Sequence, residues 1–115
     1  MDSKHAVASL GALAQESRLA VYRLLVEAGP TGLAVGEIGA SVHIAPATLS
    51  FHLKELFHAR LVQTRQEGRF IYYSANYETM NGLLGYLSEN CCARDGGCGP
   101  CGPSRARPRR AKSNA

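Results

Sequence analysis

No cysteine occurs in the first 90 of the 115 residues, and no apolar run is long enough to cross a bilayer. The start, Met1-Asp2-Ser3-Lys4-His5, also lacks the basic-then-apolar layout of an export signal. The first absence removes a disulfide framework from the body of the chain. The second argues against a membrane partner and the third against export, so the expected compartment is the cytoplasm. At 12.3 kDa there is room for one domain, which disfavours a multidomain enzyme. No internal repeat is visible. A hydrophobic content of 45% with 19% charged residues is that of a globular chain.

Charge is unevenly placed. Residues 1–90 carry seven Lys/Arg and eight acids, a net of −1, whereas residues 91–115 carry six bases and Asp95, a net of +5. The overall +4 thus reports a basic tail on a near-neutral body, a pattern that suits a polyanion partner. All four cysteines, Cys91, Cys92, Cys98 and Cys101, lie in that tail, where a reducing compartment makes them metal ligands or redox centres. The expected division is a folded body over 1–90 and a Cys-rich, then basic tail over 91–115.

Periodicity predicts a mainly α body. A first helix over about 6–14, with Ser3 before it as cap, places Val7, Leu10, Leu13 and Ala14 on one face. A second, over about 17–28, aligns Leu19, Tyr22, Leu25 and Val26 and stops at Gly29-Pro30-Thr31-Gly32. A short third helix buries Val35, Ile38 and Val42. After a turn at His43-Ile44-Ala45, Pro46 opens a fourth, since a proline at the first position forfeits no hydrogen bond. That helix carries the stripe Leu49, Leu53, Leu56 and Phe57. The period then drops to two over Leu61–Arg65 and Phe70–Ser74, separated by the turn signal Glu67-Gly68. A last helix over about 78–89 is expected to bury Met80, Leu83, Leu84 and Leu87. A helix–turn–helix followed by a hairpin is a winged helix–turn–helix, whose second helix enters the DNA major groove.

Three stretches together resemble the ArsR/SmtB family of metal-sensing repressors. They are Ile44 to Leu56 with its Ser50-x-His52-Leu53 element, Ala59 to Val62, and Glu67 to Tyr73 with its Gly68-Arg69-x-x-Tyr72-Tyr73 wing. The resemblance covers roughly residues 5–90 and implies a homodimer joined through the first and last helices. It further implies a protein that holds a palindromic operator until a metal or metalloid binds. Two sensor sites of the family are missing. The segment Leu33-Ala34-Val35-Gly36-Glu37-Ile38 lacks the cysteine pair of many arsenic repressors, and residues 77–90 lack the histidine used by zinc sensors.

The remaining ligand cluster is the tail. Three thiolates suit a soft, thiophilic ion, and trivalent arsenic or antimony takes three sulfurs in a pyramid. Cys91-Cys92 with a third thiol, Cys98, six residues on resembles the C-terminal arsenite site of a subgroup of these repressors, in which Cys101 is a spare. Four thiolates could instead hold zinc, given the spacing Cys98-x-x-Cys101. A redox pair at Cys98-Gly99-Pro100-Cys101 is a further alternative, though Gly102-Pro103 denies it the following helix that lowers a thiol's pKa.

The expected function is therefore that of a homodimeric repressor on an inverted-repeat operator, released by As(III) or Sb(III) at Cys91, Cys92 and Cys98, with Cys101 a possible fourth ligand. The alternative is a zinc- or redox-responsive regulator using the same cysteines. No catalytic activity, catalytic cofactor or small-molecule substrate is expected. Thr48, Ser50, His52 and Lys54 on the fourth helix, with Arg65 and Arg69 on the wing, are the expected DNA contacts, with hydroxyl and imidazole groups facing base edges or phosphates. In isolation these residues also fit a solvated helix face, and Arg69 fits a cross-strand pair with Glu67. The bases Arg105, Arg107, Arg109, Arg110 and Lys112 would add salt-sensitive affinity or solubility.

Overall fold

Pro46 starts a helix whose buried side chains organise the rest of the body. In the computed structural model, which describes residues 1–95, the order is α1 (Ser3–Leu13), α2 (Glu16–Ala28), β1 (Leu33–Ala34), α3 (Val35–Val42) and α4 (Pro46–His58). Then follow β2 (Val62–Glu67), β3 (Phe70–Ala75), α5 (Tyr77–Ser88) and a 3₁₀ turn over Ala93–Asp95. The chain divides into two units, residues 1–83 and 84–115, with the division inside α5. Cys98, Cys101 and the basic residues from Arg105 to Lys112 lie outside the described residues.

The core of the first unit is one cluster. Val21, Tyr22 and Leu25 of α2 meet Ile38 of α3, Leu49, Leu53 and Leu56 of α4, and Leu61, Val62 and Ala75 of the hairpin. Local signals set the helix ends. The Asp2 carboxylate, not Ser3, caps α1 by accepting from the His5 N–H at 2.8 Å, and that bond holds its carboxyl below the ordinary range. The Gln15 side chain does the same for α2 through the Arg18 N–H at 2.8 Å. Glu37 reaches back to the Ala34 N–H at the start of α3, also at 2.8 Å.

Several expected core residues are displaced. In α2 Tyr22 and Leu25 are buried as expected, but Val21 joins them and Leu19 is exposed. Val7 and Leu10 of α1 are exposed, and Ala6 and Ser9 are the buried pair, since small side chains let α1 lie close against the body. In α5 only Leu83 is buried; Leu84 and Leu87 are exposed. Apolar periodicity marks a face to be covered, and within one chain these faces are not covered.

Against expectation, β2 begins one residue later and runs two residues further toward the turn, and β3 runs one residue further at its end, with Val62 opposite Ala75 and Glu67 opposite Phe70. Its two-residue turn is Gly68-Arg69, and Gly68 sits at φ 62°. β1, too short to leave a periodic signal, pairs antiparallel with β3, so the sheet order is β1-β3-β2. Gly32 precedes β1 at φ 76°, and a Cβ there would run into the carbonyl group of Tyr73. By contrast, nothing stands near a Cβ added at Gly68.

These two glycines give a stability contrast. Gly68→Ala is expected to cost about 1–2 kcal/mol, the ordinary penalty for a left-handed residue with a side chain. Gly32→Ala must in addition push β1 off β3 and is expected to cost clearly more, read as the larger drop in urea midpoint at an unchanged slope.

Candidate nucleic-acid interface

The rotation of α4 decides which of its side chains meet a ligand. Its buried row is Leu49, His52, Leu53 and Leu56, an i, i+3, i+4, i+7 set. His52, expected to project, is only 7% exposed, whereas Phe57, expected in the core, is 47% exposed. Burial of an imidazole is tolerated here because it has a polar partner. Arg18 at the start of α2 donates Nε–H to the carbonyl of Ala12 at 2.7 Å and turns Nη1 toward His52 Nδ1 at 3.4 Å. A guanidinium has no acceptor, so Nδ1 is the accepting atom of this contact. Arg18 thereby ties the end of α1 to α4, and His52 is buried rather than projecting.

The opposite side of α4 is open. Ala47, Thr48, Ser50, Phe51, Lys54 and His58 are all exposed. Thr48, Ser50 and Lys54 are thus placed where the sequence puts them, on the surface of the second helix of the helix–turn–helix. His43 closes α3 in a left-handed conformation, φ 56°, and is exposed in the turn. Ser50, Lys54 and Phe57 line a groove completed by Thr64, Ile71 and Tyr73 of the wing. Helix and wing therefore share one surface.

The two wing arginines differ. Arg65 donates Nε–H to Glu67 at 2.9 Å and Nη1–H to the carbonyl of Thr31 at 3.0 Å, and its guanidinium lies 4.8 Å above the Tyr72 ring. It braces the wing against the loop after α2, a role that sequence reading missed because Thr31 is 34 residues away. Glu67 therefore pairs with Arg65 and not with Arg69. Arg69 stands exposed at the tip of the turn. Tyr72 and Tyr73 belong to the hairpin: Tyr72 under Arg65, Tyr73 packed against the core.

In the second unit, α5 ends at Ser88 and the Cys91 N–H closes a turn on the Ser88 carbonyl at 3.1 Å. Asn90 and Cys92 both take φ 60°. The adjacent sulfurs of Cys91 and Cys92 lie 3.7 Å apart, well beyond the ~2.04 Å of a bonded pair.

The two kinds of α4 residue are separable by stability. His52→Ala is expected to cost about 1–3 kcal/mol, since it opens the core and leaves Arg18 short of a partner. Ser50→Ala, on the exposed side, is expected to stay within about 0.5 kcal/mol. Urea titrations followed by circular dichroism check both.

Residues 13–65 match a family model described as a helix-turn-helix domain. Among relatives, the chain is 40% identical over 77 residues to the HTH-type transcriptional regulator YceK of Bacillus subtilis, covering 66% of this chain and 76% of that one. It is 36% identical over 91 residues to the arsenical resistance operon repressor of the same organism, covering 78% and 83%. The solution structure of the homodimeric winged helix-turn-helix DNA-binding domain Mb0332 from Mycobacterium bovis, a possible ArsR-family regulator, aligns with a TM-score of 0.61. Identity there is 25%, over 76% of this chain and 82% of that one. With the turn, the helix and the wing in place and relatives of this identity and coverage, the chain belongs to the ArsR/SmtB family of winged helix–turn–helix transcriptional regulators, DNA-binding proteins and not enzymes.

Proposed function

We propose that this regulator is a homodimeric repressor in the cytoplasm that holds an inverted-repeat operator and releases it when As(III) or Sb(III) binds Cys91, Cys92 and Cys98. The observation that carries the reading is the vicinal thiol pair just past α5, with sulfurs 3.7 Å apart and able to serve one soft ion. A relative named for repression of an arsenical resistance operon supports the same inducer class. Zinc is the second reading, because 3.7 Å is close to the edge, about 3.8 Å, of a tetrahedron with ~2.3 Å Zn–S bonds.

Operator contact is assigned to Thr48, Ser50 and Lys54 of α4 and to Arg69 at the wing tip, with Arg65 and His52 holding those elements in place. The basic tail adds phosphate affinity. A two-fold dimer presents two equivalent recognition helices, which must meet major grooves one helical turn, about 34 Å, apart. A coupling of ~1–3 kcal/mol between inducer and operator suffices for release.

Dimerisation is assigned to the first and last helices, each with uncovered apolar side chains. Val7 and Leu10 are 66% and 42% exposed on α1, and Leu84 and Leu87 are 50% and 58% exposed on α5. A large exposed apolar face is an association surface by default. Leu10→Glu combined with Leu87→Glu is expected to yield a folded monomer by sedimentation velocity, with operator affinity reduced at least ten-fold. A variant that remains dimeric would send the interface elsewhere.

The inducer assignment is tested by single Cys→Ser changes in the reduced chain, with operator release followed by fluorescence anisotropy on adding arsenite, antimonite or zinc. Cys91→Ser, Cys92→Ser and Cys98→Ser are expected to bind operator as before and to lose release by arsenite, while Cys101→Ser still responds. A four-thiolate zinc site would fail with all four changes, and a redox pair with Cys98→Ser and Cys101→Ser alone.

A further inference from the structure

The middle of the recognition helix presents an aromatic ring to solvent. Phe51 is 55% exposed, while Leu49 and Leu53 on either side of it are 1% exposed. It follows Leu49 by two residues, roughly 200° round the helix, so it points away from the core that holds α4. Its one aromatic neighbour among the described residues is the ring of His52, 5.9 Å away and tilted by 60°. Phe51 contributes nothing to the core cluster. A Phe held this way exposes apolar surface that some other contact must cover.

The surroundings identify that contact. On the same face lie Ala47, one turn earlier, Lys54, one turn later, and His58 beyond it, with Thr48 and Ser50 to the sides, all exposed. This is a narrow apolar centre inside a polar and cationic rim. A protein-docking face would need a broader apolar area. The floor of the DNA major groove offers the complement: hydrogen-bonding base edges, phosphates at the rim, and a single apolar group, the C5-methyl of thymine.

Resting on the assignment of α4 as the recognition helix, we propose that Phe51, with Ala47 behind it, packs against thymine C5-methyl groups in each half-site and so makes thymine at a defined step a requirement of the operator. Ser50, Thr48 and Lys54 bind hydrogen-bonding groups and phosphates around this contact. Phe51 is thus a specificity-determining residue.

The experiment uses the reduced full-length chain and a duplex it selects from a random-sequence pool. The duplex is then remade with deoxyuridine replacing thymidine at one symmetric pair of positions at a time, which removes only the methyl groups. A buried methyl corresponds to about a four-fold change in affinity, hence on the order of fifteen-fold for one in each half-site. At one pair of positions the unsubstituted chain is expected to show a penalty of this size. Phe51→Ser is expected to bind the thymidine duplex more weakly and to lose the penalty, and Phe51→Leu to retain part of it. Equal affinity of the unsubstituted chain for every duplex overturns the inference without needing a variant, as does a penalty that persists in full in Phe51→Ser. A chain that selects no duplex overturns the operator-binding reading itself, which is a distinct outcome from selecting one and ignoring its methyl groups.

Discussion

Burial of the Leu49, His52, Leu53 and Leu56 row against α2 is the constraint on which the rest depends. A helix has one rotation about its axis, and whichever row is buried dictates what the opposite row presents. Packing Leu49, Leu53 and Leu56 against Val21, Tyr22 and Leu25, with His52 on Arg18, leaves Ala47, Phe51 and Lys54 facing outward. Leu49, Leu53 and Leu56 alone would tolerate a modest turn of the helix about its axis. The Arg18–His52 contact opposes that freedom, because a hydrogen-bonding partner defines a direction where an apolar contact defines only an area.

The wing is held by a comparable economy of means. A hairpin of two strands alone is marginal in water. Here β3 gains a third strand, β1, placed by Gly32, where no side chain fits against Tyr73. Arg65 adds a bridge from β2 to the Thr31 carbonyl and a cover for the Tyr72 ring. The loop after α2 thus positions the wing from two sides, and Arg69 stays exposed at the tip, with no ion pair among the described residues. The surface offered to a polyanion is built from a small number of exposed groups on a braced frame.

The outward placement of three side chains on α4 was legible because a polar residue type off the apolar stripe favours solvent. Thr48, Ser50 and Lys54 are exposed where the pattern puts them. The burial of His52 was not legible for a physical reason: an imidazole is polar, so its pattern position assigns it to solvent, yet a partner 34 residues away in the chain makes burial tolerable. The internal bonds of Arg65 to Glu67 and Thr31 were likewise not legible, because the Thr31 carbonyl lies 34 residues away in the chain. Phe51 went unremarked because it is apolar, and only its exposure makes it informative.

The order of the five helices and the hairpin, their approximate ends, and the clustering of all thiols after residue 90 were written in the sequence. These follow from signals that act within a few residues: periodicity, a proline at a helix start, a glycine in a hairpin turn, caps. Tertiary structure decided which apolar rows are covered, leaving Val7, Leu10, Leu84 and Leu87 outside and bringing His52 in. It also decided that β1 exists as a strand, since two residues become a strand only when β3 is there to pair with them. Such outcomes depend on partners far away in the chain, and a local pattern records that a side chain needs a partner without recording which one it will find.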